Sequence, residues 1–325
     1  MLRSLFRTIF QWGSFVKFSH TIFALPFALA AMVLAARPTH GWPGGRALAL
    51  VLLAMVGGRT CAMAFNRIVD RKLDALNPRT ANRHLPAGSL SLGSAWALCL
   101  FSGAALVVAA WALNPLCFWL SPVALFLVCF YSLTKRFTDF TQVWLGIALA
   151  VAPVGAWLAV TGTLQFWPET NPTDLASAAS AWTNRAWLAR SAYVPLSLAA
   201  AVLLWLVGFD TIYATQDYEF DRRHGLRSLV TRWGPQNALG VAFLAHLFTW
   251  ALFVVVGLLS GFRLAYWLGL ILILALLLME HLLARNRTPA DINTAFFKLN
   301  AVISLTYLVV VLCEVLFPWF RLRVY

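Results

Sequence analysis

Acidic side chains are scarce in this chain: twelve Asp and Glu stand among 325 residues, and charged residues of both signs make up only 11%. An ordinary soluble domain carries about a quarter of its residues as charged groups, so the shortage excludes that class. Zinc and disulfide frameworks are excluded too. Cys61, Cys99, Cys117, Cys129 and Cys313 sit in or beside apolar runs without Cys-x-x-Cys or Cys/His ligand spacing. Among the histidines, His20, His84, His224, His246 and His281 form no spaced ligand set. No cleavable leader is expected, because the first apolar run is long, flanked by charge and followed by further runs. The net charge of +13 does not indicate nucleic acid, since the basic residues lie in short segments between apolar runs and not in one aromatic-laced patch.

What the chain has in abundance is apolar surface: 61% of residues are hydrophobic and the mean hydropathy is +0.76. This is a polytopic, all-α membrane composition. Nine spans fit the pattern, at 17–37, 46–66, 95–112, 115–131, 141–163, 191–211, 236–258, 262–282 and 295–316, with eight and ten as the neighbouring counts. The chain reads as one integral-membrane domain over 1–325, with a polar loop at 165–190 whose Ala-rich middle is a candidate interfacial helix.

Basic residues set the expected orientation. Arg3, Arg7 and Lys17 precede the first span, Arg67, Arg71, Lys72, Arg79 and Arg83 follow the second, and Lys135, Arg136, Arg222, Arg223, Arg227, Arg232, Arg285 and Arg287 fall in later alternate loops. The opposite side has Arg37, Arg46, Arg185, Arg190, Arg263, Arg321 and Arg323. The positive-inside rule therefore places the amino terminus and the 67–83, 135–136 and 222–232 segments in the cytoplasm, the 165–190 loop outside, and, for an odd span count, the carboxyl terminus outside.

Half of the twelve acids gather in two places on the cytoplasmic side: Asp70 and Asp74, then Asp210, Asp217, Glu219 and Asp221. Carboxylates at a membrane edge are costly unless paired, neutralised or hydrated, so their default reading is functional. Asn66, Asp70 and Asp74 recur every fourth residue and stack on one helical side until Pro78 opens a loop. Asp210, Asp217 and Asp221 share a face of a second helix, with steps of seven and four. Glu219 falls nearly opposite on a regular helix, where it either adds a metal ligand or pairs with a basic neighbour.

Hard oxygen ligands without His or Cys suit Mg²⁺, an ion that keeps waters and is shared with substrate phosphates. Arg79 and Arg83 add forked donors matched to phosphate oxygens, and Lys135 and Arg136 stand on the same side as further phosphate contacts. A diphosphate head on a long apolar tail explains why such a site belongs in a membrane: each buried methylene contributes roughly 0.8 kcal/mol.

At these residues the sequence resembles the UbiA superfamily of intramembrane aromatic prenyltransferases. NRIVDRKLDALNPRTANRHLPAG from Asn66, DTIYATQDYEFD from Asp210, YSLTKR from Tyr131 and QVWLG from Gln142 carry the likeness. The resemblance implies a nine-helix bundle and transfer of a polyprenyl group from its diphosphate to an aromatic acceptor. It implies that Asn66, Asp70, Asp74, Asp210, Asp217 and Asp221 bind the diphosphate through Mg²⁺. Arg67, Arg83, Lys135 and Arg136 are expected to assist, and Tyr213 to orient the reacting groups. Arg67 departs from the commonest motif, in which an Asp follows the Asn.

The wording around Asn66 and DINTAFFKLNAVIS from Asp291 is most similar to the 4-hydroxybenzoate polyprenyltransferase branch. It is also similar to prenyltransferases of the futalosine route to menaquinone. The expected acceptor is thus an aromatic carboxylate, 4-hydroxybenzoate of ubiquinone biosynthesis or alternatively 1,4-dihydroxy-6-naphthoate, and the expected location a bacterial inner membrane. Phe65 and Tyr213 are candidates to line the cavity. His20 is a candidate for the acceptor region, and Pro26 and Pro153 for helix kinks. A membrane ion or small-solute transporter is the competing class, disfavoured because the acids lie at helix ends beside Arg79, Arg83 and Lys135 and no inverted repeat is evident.

Overall fold

The computed structural model describes residues 12–16, 23–168, 184–286 and 288–317. Every regular element among the described residues is helical. Eight helices are long and apolar enough to cross a bilayer, and a shorter one, α1 (Leu25–Ala35), is the described part of the span expected at 17–37. His20, Arg3, Arg7, Lys17, Arg287, Arg321, Arg323 and the Ala-rich middle of the 165–190 loop lie outside the described residues.

The helices after α1 are α2 (Gly45–Leu76), α3 (Leu92–Leu113), α4 (Pro115–Thr134) and α5 (Thr141–Thr161), then α6 (Tyr193–Ala214) and the short α7 (Tyr218–Arg223). They are followed by α8 (Leu229–Ser260), α9 (Leu264–Asn286) and α10 (Asn300–Leu316). Two of them overrun their expected ends in a way that matters. The span expected to stop at 66 continues to Leu76, and the one expected to stop at 211 continues through a 3₁₀ turn, Thr215–Asp217, into α7. Hydropathy falls where charge begins, but backbone hydrogen bonding does not, so Asp70, Asp74, Asp217 and Asp221 ride on helix extensions past the expected span ends, while Asp210 lies just inside one.

Local chemistry sets the boundaries. Asn114 accepts from the Cys117 N–H at 2.9 Å and is followed by Pro115, a cap that starts α4 immediately after α3. Ser228 and Thr231 form a capping box at the start of α8. Gly234 then leaves helical geometry at φ 76° before Pro235 resumes the helix, so α8 begins as a separate turn at the membrane edge. Pro26 opens α1 instead of kinking it, whereas Pro153 lies within α5.

The helices pack as two groups that share α5. One contains α2, α3, α4 and α5; the other runs through α5, α6, α8, α9, α10 and back to α1. Small residues permit the closest approaches: a Cβ on Gly57 would lie 2.7 Å from the Ser102 carbonyl oxygen, and one on Gly146 2.7 Å from that of Leu203. The second group is held by aromatics, with Phe27 5.0 Å from Trp205 and 5.3 Å from Tyr307. In the first group three thiols meet, the Cys61 sulfur lying 3.7 Å from that of Cys99 and 3.9 Å from that of Cys129, all free.

Candidate active site

Both acidic helix ends, the 77–91 loop and the 135–140 loop converge at one end of the bundle. On α2, Asp70 and Asp74 are 3% and 6% exposed and their charges are met by bases from elsewhere. Lys135 Nζ donates to Asp70 Oδ2 at 2.6 Å and Arg136 Nη2 to Oδ1 at 2.9 Å. Asn66 Nδ2 adds a bond of 3.2 Å to the same Asp70. Arg83 Nη1 donates to Asp74 Oδ1 at 2.6 Å, while Asp74 Oδ2 is buried without a hydrogen-bond partner.

The second end is tied to the first through the loop that follows α2. Arg79 forks onto Asp217, its Nε donating to Oδ1 at 2.9 Å and its Nη2 to Oδ2, and Asn77 Nδ2 reaches Asp217 Oδ1 at 3.2 Å. Arg79 Nη1 also donates to the Tyr213 hydroxyl at 2.7 Å, with the guanidinium carbon 5.3 Å from that ring's centre. Burial works against the Arg79 charge, but the hydrogen bonds it donates to Asp217 and Tyr213 outweigh that and raise its pKa above the ordinary arginine value. Asp210 and Asp221 are half-buried and carry neither a hydrogen bond from a side chain nor an ion pair among the described residues.

Two adjoining cavities open between these groups. The larger, about 490 Å³, is lined by Asn66, Arg67, Arg79, Arg83, Asp210 and Tyr213 on its polar side and by Phe23, Leu206, Phe209, Phe296 and Phe297 on its apolar side. The smaller, about 260 Å³, is lined by Asp70, Asp74, Lys135, Asp217 and Asp221, and shares Asn66, Arg79, Arg83, Asp210 and Tyr213 with the first. A third cavity of about 400 Å³ lies among α2, α3, α4 and α5, is almost wholly apolar, and shares Met55 with the first. The arrangement offers cations and oxygen ligands at one end, aromatic walls beside them and an oily chamber beyond.

A family model for the UbiA prenyltransferase family matches residues 24–302. The chain belongs to the UbiA prenyltransferase family. A 4-hydroxybenzoate octaprenyltransferase of Shewanella woodyi is 31% identical over 272 residues, 84% of each chain. One of Nitrosospira multiformis is 32% identical over 263 residues, 80% of each. Among solved structures, the apo form of a UbiA homologue from Aeropyrum pernix superimposes with a TM-score of 0.74 at 31% identity, covering 91% of this chain and 98% of the other. A UbiA homologue from Archaeoglobus fulgidus, solved with DMAPP and Mg²⁺, shares the fold at a TM-score of 0.65 and 20% identity, covering 93% and 99%.

This UbiA-family chain is therefore an enzyme of the prenyltransferase class and a multi-pass membrane protein. The structure gathers its expected site residues unevenly. Asn66, Asp70, Asp74, Asp210, Asp217, Asp221, Tyr213, Arg79, Arg83 and Lys135 all face the smaller cavity, and Arg67 lines only the larger one. Arg136 lies on neither wall; it braces Asp70 and the carbonyls of Val69 and Ser132. Glu219 is exposed and also lies on neither wall. Phe65 packs edge-on to Trp96 at 6.2 Å and not into either cavity.

Sequence reasoning missed Arg59, which lines the larger cavity with its Nε buried and unpartnered. The signal was present, since Arg59 precedes Asn66 by seven residues and so shares its helical side. Phe296 and Phe297 were not assigned to the cavity either, although they stand in the stretch DINTAFFKLNAVIS; they arrive from the far end of the chain. The oxygen set suits a hard divalent ion, given the orphaned Asp74 Oδ2 and the unpaired Asp210 and Asp221. Among the described residues no three His, Cys, Asp or Glu side chains are already clustered as a metal site; bases hold Asp70, Asp74 and Asp217 instead.

Proposed function

We propose that this enzyme transfers a polyprenyl group from its diphosphate to an aromatic carboxylate, 4-hydroxybenzoate, in a Mg²⁺-dependent reaction. One observation carries the reading: two acid-bearing helix ends and six bases, Arg59, Arg67, Arg79, Arg83, Lys135 and Arg227, share walls of adjoining cavities whose other side is aromatic. The names of the curated relatives support the acceptor, and the solved homologue with DMAPP and Mg²⁺ supports the donor class and the ion.

In this reading the donor's diphosphate sits in the smaller cavity against Arg79, Arg83 and Lys135, with Arg67 at the boundary of the larger one. Asn66, Asp70, Asp74, Asp210, Asp217 and Asp221 would hold Mg²⁺, which supplies charge neutralisation to the leaving diphosphate. The allylic C–O bond breaks, and its electron pair leaves with the diphosphate oxygen. Tyr213, Phe209 and Phe296 flank the allylic carbon, where aromatic faces favour positive charge, and the apolar walls exclude the water that would capture it. The ring carbon beside the acceptor's phenolic oxygen forms the new C–C bond, and loss of that carbon's proton restores aromaticity.

Arg59 is the natural partner of the acceptor. Among the described residues no carboxylate meets this guanidinium, which is costly for a charge facing a cavity inside a bundle, and a substrate carboxylate would satisfy its fork. The prenyl tail extends past Met55 into the apolar chamber among α2 to α5, where burial favours it. The surplus of bases at this end of the bundle supports a site facing the cytoplasm, and a bacterial inner membrane is part of the same reading.

The test is an assay in vesicles with a labelled prenyl diphosphate and either 4-hydroxybenzoate or 1,4-dihydroxy-6-naphthoate. A higher kcat/KM for 4-hydroxybenzoate is expected. Preference for the naphthoate would overturn the acceptor, and ion flux without condensation would overturn the reaction.

A further inference from the structure

Behind the aromatic wall lies a buried polar network that the proposed chemistry does not use. Glu280 on α9 and Asn300 at the start of α10 are both 0% exposed, and His246 on α8 is 2% exposed. His246 Nε2 donates to the Trp205 carbonyl at 3.1 Å, its Nδ1 meets His281 Nε2 at 2.9 Å, and that Nδ1 lies 3.9 Å from Glu280 Oε2. On the other side Glu280 Oε1 accepts from Asn300 Nδ2 at 2.9 Å. The same Asn300 nitrogen folds back onto the carbonyls of Ala295 and Phe296, at 3.1 and 3.3 Å.

Those two carbonyls belong to a π-helical turn, Thr294–Leu299, set directly before α10. A π turn is rare and less favourable than α geometry, and it recurs at functional sites. Here it determines which side chains meet the cavity. Phe296 and Phe297 both line the larger cavity, and the Phe296 ring lies 4.2 Å from Tyr213, whose hydroxyl holds Arg79. Relaxation to α geometry would remove one residue's worth of bulge and turn these rings by about 100° away from their present direction. A carboxyl group this deep in a membrane bundle is costly to retain. Glu280 Oε2 and Asn300 Oδ1 each lack a hydrogen-bond partner, so the pair is not explained by its own hydrogen-bond balance. What the pair does accomplish is to fix the two carbonyls of the turn.

We propose that Glu280 and Asn300 are positioning residues that clamp the π turn, so that Phe296 faces the cavity and braces Tyr213, and through it Arg79, beside the reacting carbon. The inference rests on the prenyl-transfer reading of the cavity.

A double-mutant cycle on the full chain in lipid vesicles tests it, with Glu280→Leu, Asn300→Ala and Phe296→Leu singly and in pairs, and Glu280→Gln as the conservative variant. Glu280→Leu and Asn300→Ala should each lower kcat at saturating substrates on the order of tenfold to a hundredfold, the range that misplacement away from the chemistry can cause. Glu280→Gln keeps an acceptor for Asn300 and should retain kcat. Adding Phe296→Leu to either variant should cause no further loss, because both changes act through one ring.

Losses that multiply would overturn the clamp. So would variants that melt at lower temperature yet turn over normally per folded molecule, the result expected of a merely structural network. If Glu280→Leu does not fold, the Asn300→Ala and Phe296→Leu cycle decides alone. A wild-type protein inactive with every prenyl diphosphate and aromatic carboxylate pair would defeat the prenyl-transfer reading and the clamp with it; an active wild type with unaffected variants defeats the clamp alone.

Discussion

The two acid-bearing helix ends solve one problem differently. α2 runs unbroken for 32 residues, and its carboxylates are held by bases from two other segments, Lys135 and Arg136 on Asp70 and Arg83 on Asp74. α6 ends at Ala214, tightens into a 3₁₀ turn and restarts as α7; of the three aspartates here, only Asp217 is ion-paired among the described residues, to Arg79. The first end is a rigid, neutralised platform. The second leaves Asp210 and Asp221 without an ion pair among the described residues, so their oxygens stay open to a cation at the shared cavity. A ligand rich in phosphate needs a cation to approach the second end but finds bases ready at the first.

Experiments can break or sharpen that contrast. The largest expected effect is from chelation: removing divalent ions with EDTA should abolish transfer and Mg²⁺ should restore it, while the melting temperature stays unchanged because the ion pairs hold the α2 end without metal. A large fall in melting temperature would show that metal, and not the bases, holds the two ends together. Next come Asp70→Asn and Asp217→Asn, one at each end, each expected to reduce Mg²⁺-dependent turnover by about a hundredfold with the bundle still folded. Undiminished condensation in one of them would remove that end from the site.

Arg59→Leu separates donor from acceptor. It should raise the acceptor KM by roughly tenfold, the worth of one charge-assisted hydrogen bond, and leave the donor KM alone. An unchanged acceptor KM, or a shift in the donor KM instead, would assign Arg59 to the diphosphate. The smallest effect is expected from Glu219→Gln. Turnover should be unchanged, since Glu219 is exposed and off both cavity walls; a clear loss of Mg²⁺ affinity would restore it as a ligand.

The same contrast explains what could be read from the chain beforehand. Steps of four at Asn66, Asp70 and Asp74 need only a regular helix to converge, and α2 is one, so this end was legible from spacing. Asp210, Asp217 and Asp221 were grouped on the same assumption; a 3₁₀ turn, Thr215–Asp217, lies between Asp210 and Asp221, and all three still line one cavity. Hydropathy located the spans and truncated them at the first charges. Arg59 escapes the spacing argument because it lies inside an apolar run, a turn and more before the first acid. The His246–His281 contact and the Phe296 wall join positions far apart in sequence, and periodicity along one helix reveals neither.

The length of α2 carries a further consequence. At about 1.5 Å per residue its 32 residues extend some 48 Å, against a hydrocarbon slab of about 30 Å. In the proposed reaction the charged chemistry takes place above the oil while the tail stays dissolved in it, and the enzyme meets its donor by lateral diffusion in two dimensions. Its rate should follow the mole fraction of donor in the lipid and not the amount per volume of buffer: diluting vesicles with water should leave turnover unchanged, and diluting the donor with inert lipid should lower it.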